Sequence, residues 1–273
     1  MSALEVSLTG IGLLGPGLPS WVDAQPALRG LAAFVPAPAV LAPPGRLPPA
    51  ERRRAGATIR IAMAVADQAV AQAGGDPTHL PTVFASSGGE GVNCHALCET
   101  LASADRHLSP TRFTNSVHNA AAGYWHIAVA SQAASTSLSA YDGSFGAGLV
   151  EAATQVHGSA APVLLVAYDV PYPDPLNRLR PLPHHMGVAL LLAPADSARA
   201  LARLAIELVD VDAAPPLSRC DDAGLEALRS SVPVARALPL LEVLASGTRD
   251  ATVVLDYLPT LKLRLALRSV AAP

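Results

Sequence analysis

The sequence is poor in charged residues, in aromatic residues and in cysteine. Charged side chains make up 15% of its 273 residues and aromatic ones 4%, and there are three cysteines. Apolar residues reach 51%, which indicates a globular chain with an unusually apolar surface. Such a surface is typical of a protein that a partner covers, although a high-GC genome favours the same Ala, Leu, Pro and Gly residues. The length suits one large domain or two small ones.

Several function classes are excluded by what is missing. The formal net charge is −3 and the basic residues cluster only at "ERRR", residues 51–54, so we expect no nucleic-acid binding. No apolar run has the length of a membrane span, and the N-terminus has no basic flank, so we expect neither a span nor a signal peptide. Cys94, Cys98 and Cys220 form no CxxC pair. They predict buried, reduced thiols, no metal site and a cytoplasmic protein.

Strand and helix patterns alternate along residues 1–195. "TVFA", "APVLLVAYDV" and "MGVALLLAP" are apolar runs typical of buried strands, and "ERRRAGATIRIAMAVADQAVAQAG" predicts one helix over residues 51–74. The Ala- and Pro-rich residues 22–51 predict an irregular segment. We therefore expect an α/β layered fold whose sheet is covered on both faces.

Residues 196–273 follow a different pattern. They predict a strand, two short helices and a hairpin that turns at Pro259 and Thr260. We therefore divide the chain into a domain at 1–195 and a C-terminal α+β extension at 196–273.

A dinucleotide site is considered first, because "GIGLLG" spells GxGxxG after a strand. Gly10, Gly12 and Gly15 are its glycines. The motif needs a helix that begins at the glycines and holds the pyrophosphate, but Pro16 and Pro19 follow at once and break a helix. We expect no nucleotide and no other cofactor.

The stretch "STSLSAYDGSFGAGLVEA", residues 135–152, predicts a strand, a glycine turn and a helix. "DGSFG" differs from the GxSxG elbow of hydrolases by Asp142 in place of the first glycine. Ser144 is either the N-cap of the following helix or a nucleophile activated by His118 or His185. His118, between Ser116 and Asn119, either fixes a helix start or takes part in chemistry.

Four motifs in order resemble the β-ketoacyl synthases. They are "EVSLTGIGLLGPG", "VFASSGGEG", "SPTRFTNSVHNAAAGYWHIA" and the elbow stretch, and the resemblance covers about residues 5–193. It looks closest to the short synthase-like proteins of aryl polyene and related type II polyene clusters. The resemblance implies a thiolase-like fold, with helices packed on a mixed sheet, of which the chain holds the N-terminal half. It places Asp142, or Tyr141 if the register shifts by one, where the synthases carry their nucleophilic cysteine.

Catalytic parts of the family are missing from the given sequence. The synthases take two histidines from a second half, one of them in a His-Gly-Thr motif, and no such tripeptide is present. Without the thiolate, the covalent step of condensation is lost. We therefore expect the isolated chain not to be an enzyme, but a chain-length-factor-like partner in a heterodimer with a full-length synthase, meeting the acyl carrier protein only indirectly. The alternatives are a stand-alone acyltransferase or hydrolase using Ser144 with a histidine, and a structural domain that binds a carrier protein.

The resemblance also implies which residues line the dimer interface or the acyl pocket. These are Phe113, Ser116, Val117, His118, Asn119, Ser137, Ser139, Tyr141, Asp142 and Phe145.

Overall fold

The computed structural model describes residues 3–248 and 250–269, and strands alternate with helices through the first two thirds of them. The strands are β1 (Leu4–Leu14), β2 (Thr82–Ala85), β3 (Ser135–Leu138), β4 (Val163–Asp169), β5 (Met186–Pro194), β6 (Ala202–Asp210), β7 (Asp250–Leu258) and β8 (Leu261–Ser269). The helices are α1 (Trp21–Leu28), α2 (Pro49–Arg54), α3 (Ala57–Ala73), α4 (Gly91–Ala102), α5 (Pro110–Asn115), α6 (Ala120–Val129), α7 (Ser144–Ser159), α8 (Leu176–Leu179), α9 (Ala223–Ser231) and α10 (Leu238–Ser246). Short 3₁₀ helices lie at Pro77–His79 and Pro233–Ala237.

The strands form one mixed sheet in the order β3-β2-β4-β5-β1-β6-β8-β7. β2 pairs in parallel with β3 and β4, and the remaining pairs are antiparallel. The predicted α/β class and mixed sheet are confirmed. The C-terminal strands β6, β8 and β7 continue this sheet beyond β1, so the predicted boundary after residue 195 falls between two strands that belong to the same sheet.

Helices cover both faces of the sheet, as the apolar strands predicted. α1, α7 and α10 pack on one face, where Trp21 and Phe145 are buried. α3 and α6 pack on the other, around Trp125 and Tyr168. β4 is buried along its whole length because it has helices above and below.

The glycines after the first strand lie inside it. β1 runs on through Gly10 and Gly12 to Leu14, whereas the sequence pattern ended the strand there. A Cβ atom on Gly10 would lie 2.1 Å from the carbonyl oxygen of Ala69, and one on Gly12 would lie 1.9 Å from that of Val65. The two glycines therefore allow the backbone of α3 to pack directly against β1. This contact between helix and strand explains the glycines of the GxGxxG motif.

Two sequence-based predictions of helices are wrong. The helix predicted over residues 51–74 is two helices, because Ala55 and Gly56 are extended between α2 and α3. The segment predicted as irregular contains most of α1, whose N-cap Ser20 accepts a hydrogen bond from the backbone N–H of Asp23 (3.1 Å). Pro26 lies inside α1. Because proline usually interrupts a helix, the sequence pattern did not predict a helix here.

The thiols differ from the prediction that all are buried. Cys94 and Cys98 are exposed on α4, and Cys220 alone is buried. α4 buries only Leu97, so most of its surface stays open.

No helix in the described ranges is both long and apolar enough to cross a membrane.

Candidate functional site

Three neighbouring strands end at the same edge of the sheet. Because β2 runs parallel to both β3 and β4, the loops at residues 86–90, 139–143 and 170–185 leave the sheet side by side. In open α/β sheets, ligands bind outside the carboxyl ends of such strands. The candidate site is therefore this edge, which includes the turn compared above with a nucleophile elbow.

The turn between β3 and α7 has its strained residue at Tyr141. Its φ is +51°, a left-handed conformation that is uncommon for a bulky side chain. The other non-glycine residues with positive φ in the described ranges, Ala130 and Ala160, are helix C-caps, where this conformation is common. Tyr141 is 63% exposed at the turn, and Asp142 follows it. Both positions expected for the nucleophile therefore lie at the turn, and neither carries a thiol.

The hydroxyl of Ser144 closes the turn from below. It donates to the carbonyl oxygen of Tyr141 (2.6 Å) and accepts from the backbone N–H of Ala140 (3.0 Å). The prediction that Ser144 caps α7 is wrong, because the N-cap is Gly143 and Ser144 is the first helical residue. The Ser144 hydroxyl is therefore buried, and its two backbone hydrogen bonds stabilise the turn between β3 and α7, which is called the elbow below.

The histidines do not complete a serine–histidine pair at Ser144. The Nε2–H of His118 donates to the carbonyl oxygen of Ser86 (3.3 Å), and His185 precedes β5, where burial lowers its pKa. Within residues 3–248 and 250–269, no group of three or more His, Cys, Asp or Glu side chains could hold a metal ion.

Arg180 closes over the elbow from the loop after β4. Its guanidinium carbon lies 3.7 Å from the ring centroid of Tyr141 and 5.4 Å from that of Tyr172, within the range of cation–π attraction. The same group donates hydrogen bonds to the carboxylate of Asp142 and to the hydroxyl of Tyr172. The turn's aromatic and acidic side chains are thus both held by one cation.

A chain of ion pairs continues from the elbow into the C-terminal strands. Arg236 donates to Asp142 (3.3 Å) and pairs with Asp256 (2.9 Å). Lys262 also pairs with Asp256 (2.5 Å). These charges are partly buried, so their attraction is screened less than at an open surface.

The β7–β8 hairpin also touches the elbow directly. A Cβ atom on Gly143 would lie 2.3 Å from the carbonyl oxygen of Tyr257, so only glycine fits there. Beside this contact is an open cleft of about 590 Å³, lined by Tyr141, Arg236 and Lys262 among others. The segment predicted as a separate extension therefore forms one wall of the site.

Asp169, the last residue of β4, ties the glycine turn to the C-terminal segment. Its Oδ1 accepts from the backbone N–H and the hydroxyl of Ser87 (2.9 and 2.6 Å), and its Oδ2 accepts from the N–H of Val234 (2.8 Å). Burial raises the pKa of Asp169 to about 6, and these hydrogen bonds oppose the shift. The carboxylate, 2% exposed, holds three separate segments together.

The glycine turn after β2 forms the floor of a second cleft, of about 310 Å³. A Cβ atom on Gly88 would meet the ring of Tyr172 at 2.3 Å, and one on Gly89 would meet His118 at 2.9 Å. Glu90 is buried beside this floor, and burial raises its pKa. Glycine at these two positions therefore lets the rings of Tyr172 and His118 lie against the backbone of the turn, where both line the cleft.

The residues expected at an interface differ in how far they are exposed. Phe113 is 60% exposed, and Val117 and Tyr141 are also exposed. Ser137 lies on β3 at the edge of the sheet. Phe145 is buried in the core beneath the elbow. The remaining expected positions, half-buried to exposed, are Ser116, His118, Asn119, Ser139 and Asp142.

Sequence reasoning missed the cations that hold the elbow. Arg180 is 38 residues from Asp142 and Arg236 is 94 residues away, so no helix or strand spacing relates them. The sequence has only 19 Lys and Arg residues, and this scarcity was the one feature that could have drawn attention to these two arginines.

One family model matches most of the chain. The family model "Beta-ketoacyl synthase, N-terminal domain" matches residues 29–249. No curated protein matches the chain.

Solved structures share the fold over nearly the whole chain. A ketosynthase (ApeO) in complex with its chain length factor (ApeC) from Xenorhabdus doucetiae matches with a TM-score of 0.71 and 20% identity, over 96% of this chain and 98% of that one. The ishigamide ketosynthase/chain length factor matches with a TM-score of 0.72 and 16% identity, over 97% and 99%. The AntDE:AntF complex, a type II polyketide synthase carrier protein with its ketosynthase, matches with a TM-score of 0.76 and 12% identity, over 99% and 100%.

Proposed function

The chain belongs to the β-ketoacyl synthase family, whose N-terminal domain it matches, and from this premise we propose that it is a non-catalytic, chain-length-factor-like partner of a complete ketosynthase. Two of the matched structures are described as a ketosynthase with a chain length factor, which supports the proposal. Such a partner shapes the acyl tunnel of the enzyme and leaves the condensation to it.

The main support for the proposal comes from the elbow, where Tyr141 and Asp142 stand at the position expected for the nucleophile and are held by arginines. The turn keeps a strained residue at its apex, but that residue is Tyr141, whose ring is covered by Arg180 at 3.7 Å. Asp142 is neutralised by Arg180 and Arg236. Acyl transfer needs a nucleophile with a base or a lowered pKa beside it, and this turn offers a phenol ring and a paired carboxylate.

The edge strand β3 supports a dimer. β3 ends the sheet, and the carbonyls of Ala134 and Leu138 accept hydrogen bonds from Thr82 and Ser86. Because the bonding groups of a strand alternate, the N–H and C=O of Ser137 point to the open edge. An unpaired edge is a template for another strand, and we propose that the partner synthase pairs with it.

Exposed apolar side chains over residues 92–117 support the same partner. Phe113 and Val117 are exposed and follow the peripheral helix α4, which buries one side chain. Val92, Leu101 and Leu108 in the same segment are exposed as well, and a concentration of exposed apolar side chains is typical of an interaction surface. We propose that Phe113 enters the partner's tunnel and limits the growing chain, and that the carrier protein delivers that chain to the partner.

Coexpression with a complete ketosynthase tests the proposal. We expect the two chains to co-purify as a permanent heterodimer that buries more than about 2,000 Å². The complex should elongate malonyl-derived chains, and the isolated chain should not. Purification of this chain as a stable monomer beside a free synthase would contradict the proposal.

A pair of variants at one position tests the strand contact. Ser137→Pro removes the outward N–H, so we expect loss of co-purification, measured by pull-down. Ser137→Ala keeps that N–H and should bind as the wild type does. Circular dichroism of the isolated Ser137→Pro chain establishes that it is folded, and equal binding by both variants would exclude β3 as the contact.

A further inference from the structure

α4 and α5 form a peripheral pair with few anchors. Over residues 91–115, the buried side chains of the two helices are Leu97 in α4 and Asn115 in α5. α5 has six residues and makes its main helix contact with α4. Its position therefore depends on a small number of contacts.

The anchor of α5 is a buried hydrogen bond. Asn115 is 6% exposed, and its Oδ1 accepts from the hydroxyl of Tyr124 (3.2 Å). Tyr124 is buried on α6, which packs on α3 in the core. Burial raises the pKa of Tyr124, so its hydroxyl remains a donor. A hydrogen bond has preferred directions, so this contact fixes the rotation of α5 more narrowly than an apolar contact would.

Phe113 lies two residues before this anchor on the same short helix and is exposed. On the far side of Asn115, His118 is tied to the carbonyl oxygen of Ser86 (3.3 Å). The segment that carries Phe113 and Val117 thus meets the body of the protein at these two polar contacts.

We propose that Tyr124 is a positioning residue for chain length: through Asn115, its hydroxyl sets where Phe113 stands in the partner's tunnel. Tyr124 itself contacts neither the acyl chain nor the partner. This inference rests on the proposed function, because it requires Phe113 to limit a chain that the partner grows.

The test measures product lengths, by mass spectrometry, from the complex of this chain with the coexpressed ketosynthase. Four single variants are compared, Tyr124→Phe, Asn115→Ala, Phe113→Ala and Tyr168→Phe, together with the double variant Tyr124→Phe/Asn115→Ala. Tyr168→Phe is the matched control, because the Tyr168 hydroxyl is buried and has no hydrogen-bond partner among the residues that the structure describes, so its removal breaks no bond seen there.

We expect Phe113→Ala to lengthen the products. Tyr124→Phe should broaden the distribution, with the ratio of the main product to its neighbours falling about five-fold, the factor that one buried hydrogen bond is worth. Tyr168→Phe should match the wild type. Asn115→Ala should give the same product distribution as Tyr124→Phe. The double variant should broaden the distribution no further, because both substitutions remove the same hydrogen bond.

The outcomes separate the inference from its premise. If Phe113→Ala changes the lengths while Tyr124→Phe and Asn115→Ala match Tyr168→Phe, the positioning role is refuted and the proposed function stands. If Phe113→Ala leaves the lengths unchanged, the tunnel role of Phe113 fails and the inference falls with it. Pull-down of each variant with the synthase shows that a changed distribution is not caused by loss of the complex.

Discussion

At the level of single residues, Arg180 reaches Tyr141, Asp142 and Tyr172 at the same time. It does so because the loop after β4 leaves the sheet beside the elbow. Its side chain is 19% exposed, so the charged hydrogen bonds are partly shielded from water. The strained backbone of the turn at Tyr141 therefore lies beneath a cation that stacks on the phenol ring.

Arg180→Ala is expected to destabilise the folded chain. It removes the stacking on Tyr141 and two hydrogen bonds, and bonds to charged groups contribute about 1.5–3 kcal/mol each. We expect a loss of about 2 kcal/mol, because Arg236 still pairs with Asp142. Urea unfolding measures it, with Arg178→Ala at an exposed position nearby as the control. Equal midpoints for the two variants would show that Arg180 adds no stability.

The stability of the fold should also depend on pH through Glu242. Burial raises its pKa to about 7 from the ordinary 4.5, the Cys220 thiol opposes the shift by hydrogen bonding, and nearby acidic groups such as Asp221 add to it. Between pH 4.5 and 7 the folded chain holds a proton that the unfolded chain has released, so stability falls as pH rises through this window.

Glu242→Gln isolates this contribution. The wild type should lose about 1–2 kcal/mol more than the variant between pH 5 and 8, less than the full shift implies because the side chain reaches solvent. Urea midpoints at several pH values measure the difference. Parallel curves for the two proteins would contradict the assignment, since the variant differs from the wild type only at Glu242.

At the level of helices and strands, the contact between β1 and α3 depends on two glycines. Their hydrogen atoms face the helix backbone at distances where no Cβ atom fits. α3 supplies an alanine-rich face to match, with Ala62, Ala66 and Ala69 buried. Small residues on both elements therefore allow a close approach that larger side chains would prevent.

Gly12→Ala is expected to destabilise the chain by about 3 kcal/mol or more, because overpacking against a backbone cannot be relieved by moving a side chain. Gly75→Ala is the control, since a Cβ atom there meets nothing within 4 Å. Thermal unfolding of both variants measures the effect. Similar melting temperatures would mean that β1 and α3 can separate at little cost.

At the level of the whole molecule, one sheet carries two cores. Trp21 is buried on one face and Trp125 on the other, and they are the two tryptophans of the chain. The C-terminal strands extend the same sheet, and Arg236, Asp256 and Lys262 join them to the elbow. The two cores therefore pack on the same strands, and the C-terminal strands belong to the same sheet as the strands before residue 195.

We expect a single cooperative unfolding transition. The variants Trp21→Phe and Trp125→Phe each leave one fluorescent reporter, and their urea curves should show the same midpoint after correction for the change in stability measured by circular dichroism. Two separate midpoints would indicate that the faces, or the segments on either side of residue 195, unfold independently.

The sequence was sufficient for the elements whose patterns are local. Apolar runs predicted β4 and β5, the pattern around Pro259 and Thr260 predicted the hairpin of β7 and β8, and four ordered motifs indicated the family and the missing thiol. Such patterns are readable because burial on one or two faces imposes a period on consecutive residues.

The contacts between distant segments became known only from the three-dimensional arrangement. Arg180 over Tyr141, Arg236 between Asp142 and Asp256, and Tyr124 on Asn115 join residues for which no period exists. The break at Gly56 and the course of β1 through Gly10 and Gly12 depended in the same way on what packs against them. A side chain's partners across the fold are set by which strands lie side by side, and chain order does not contain that information.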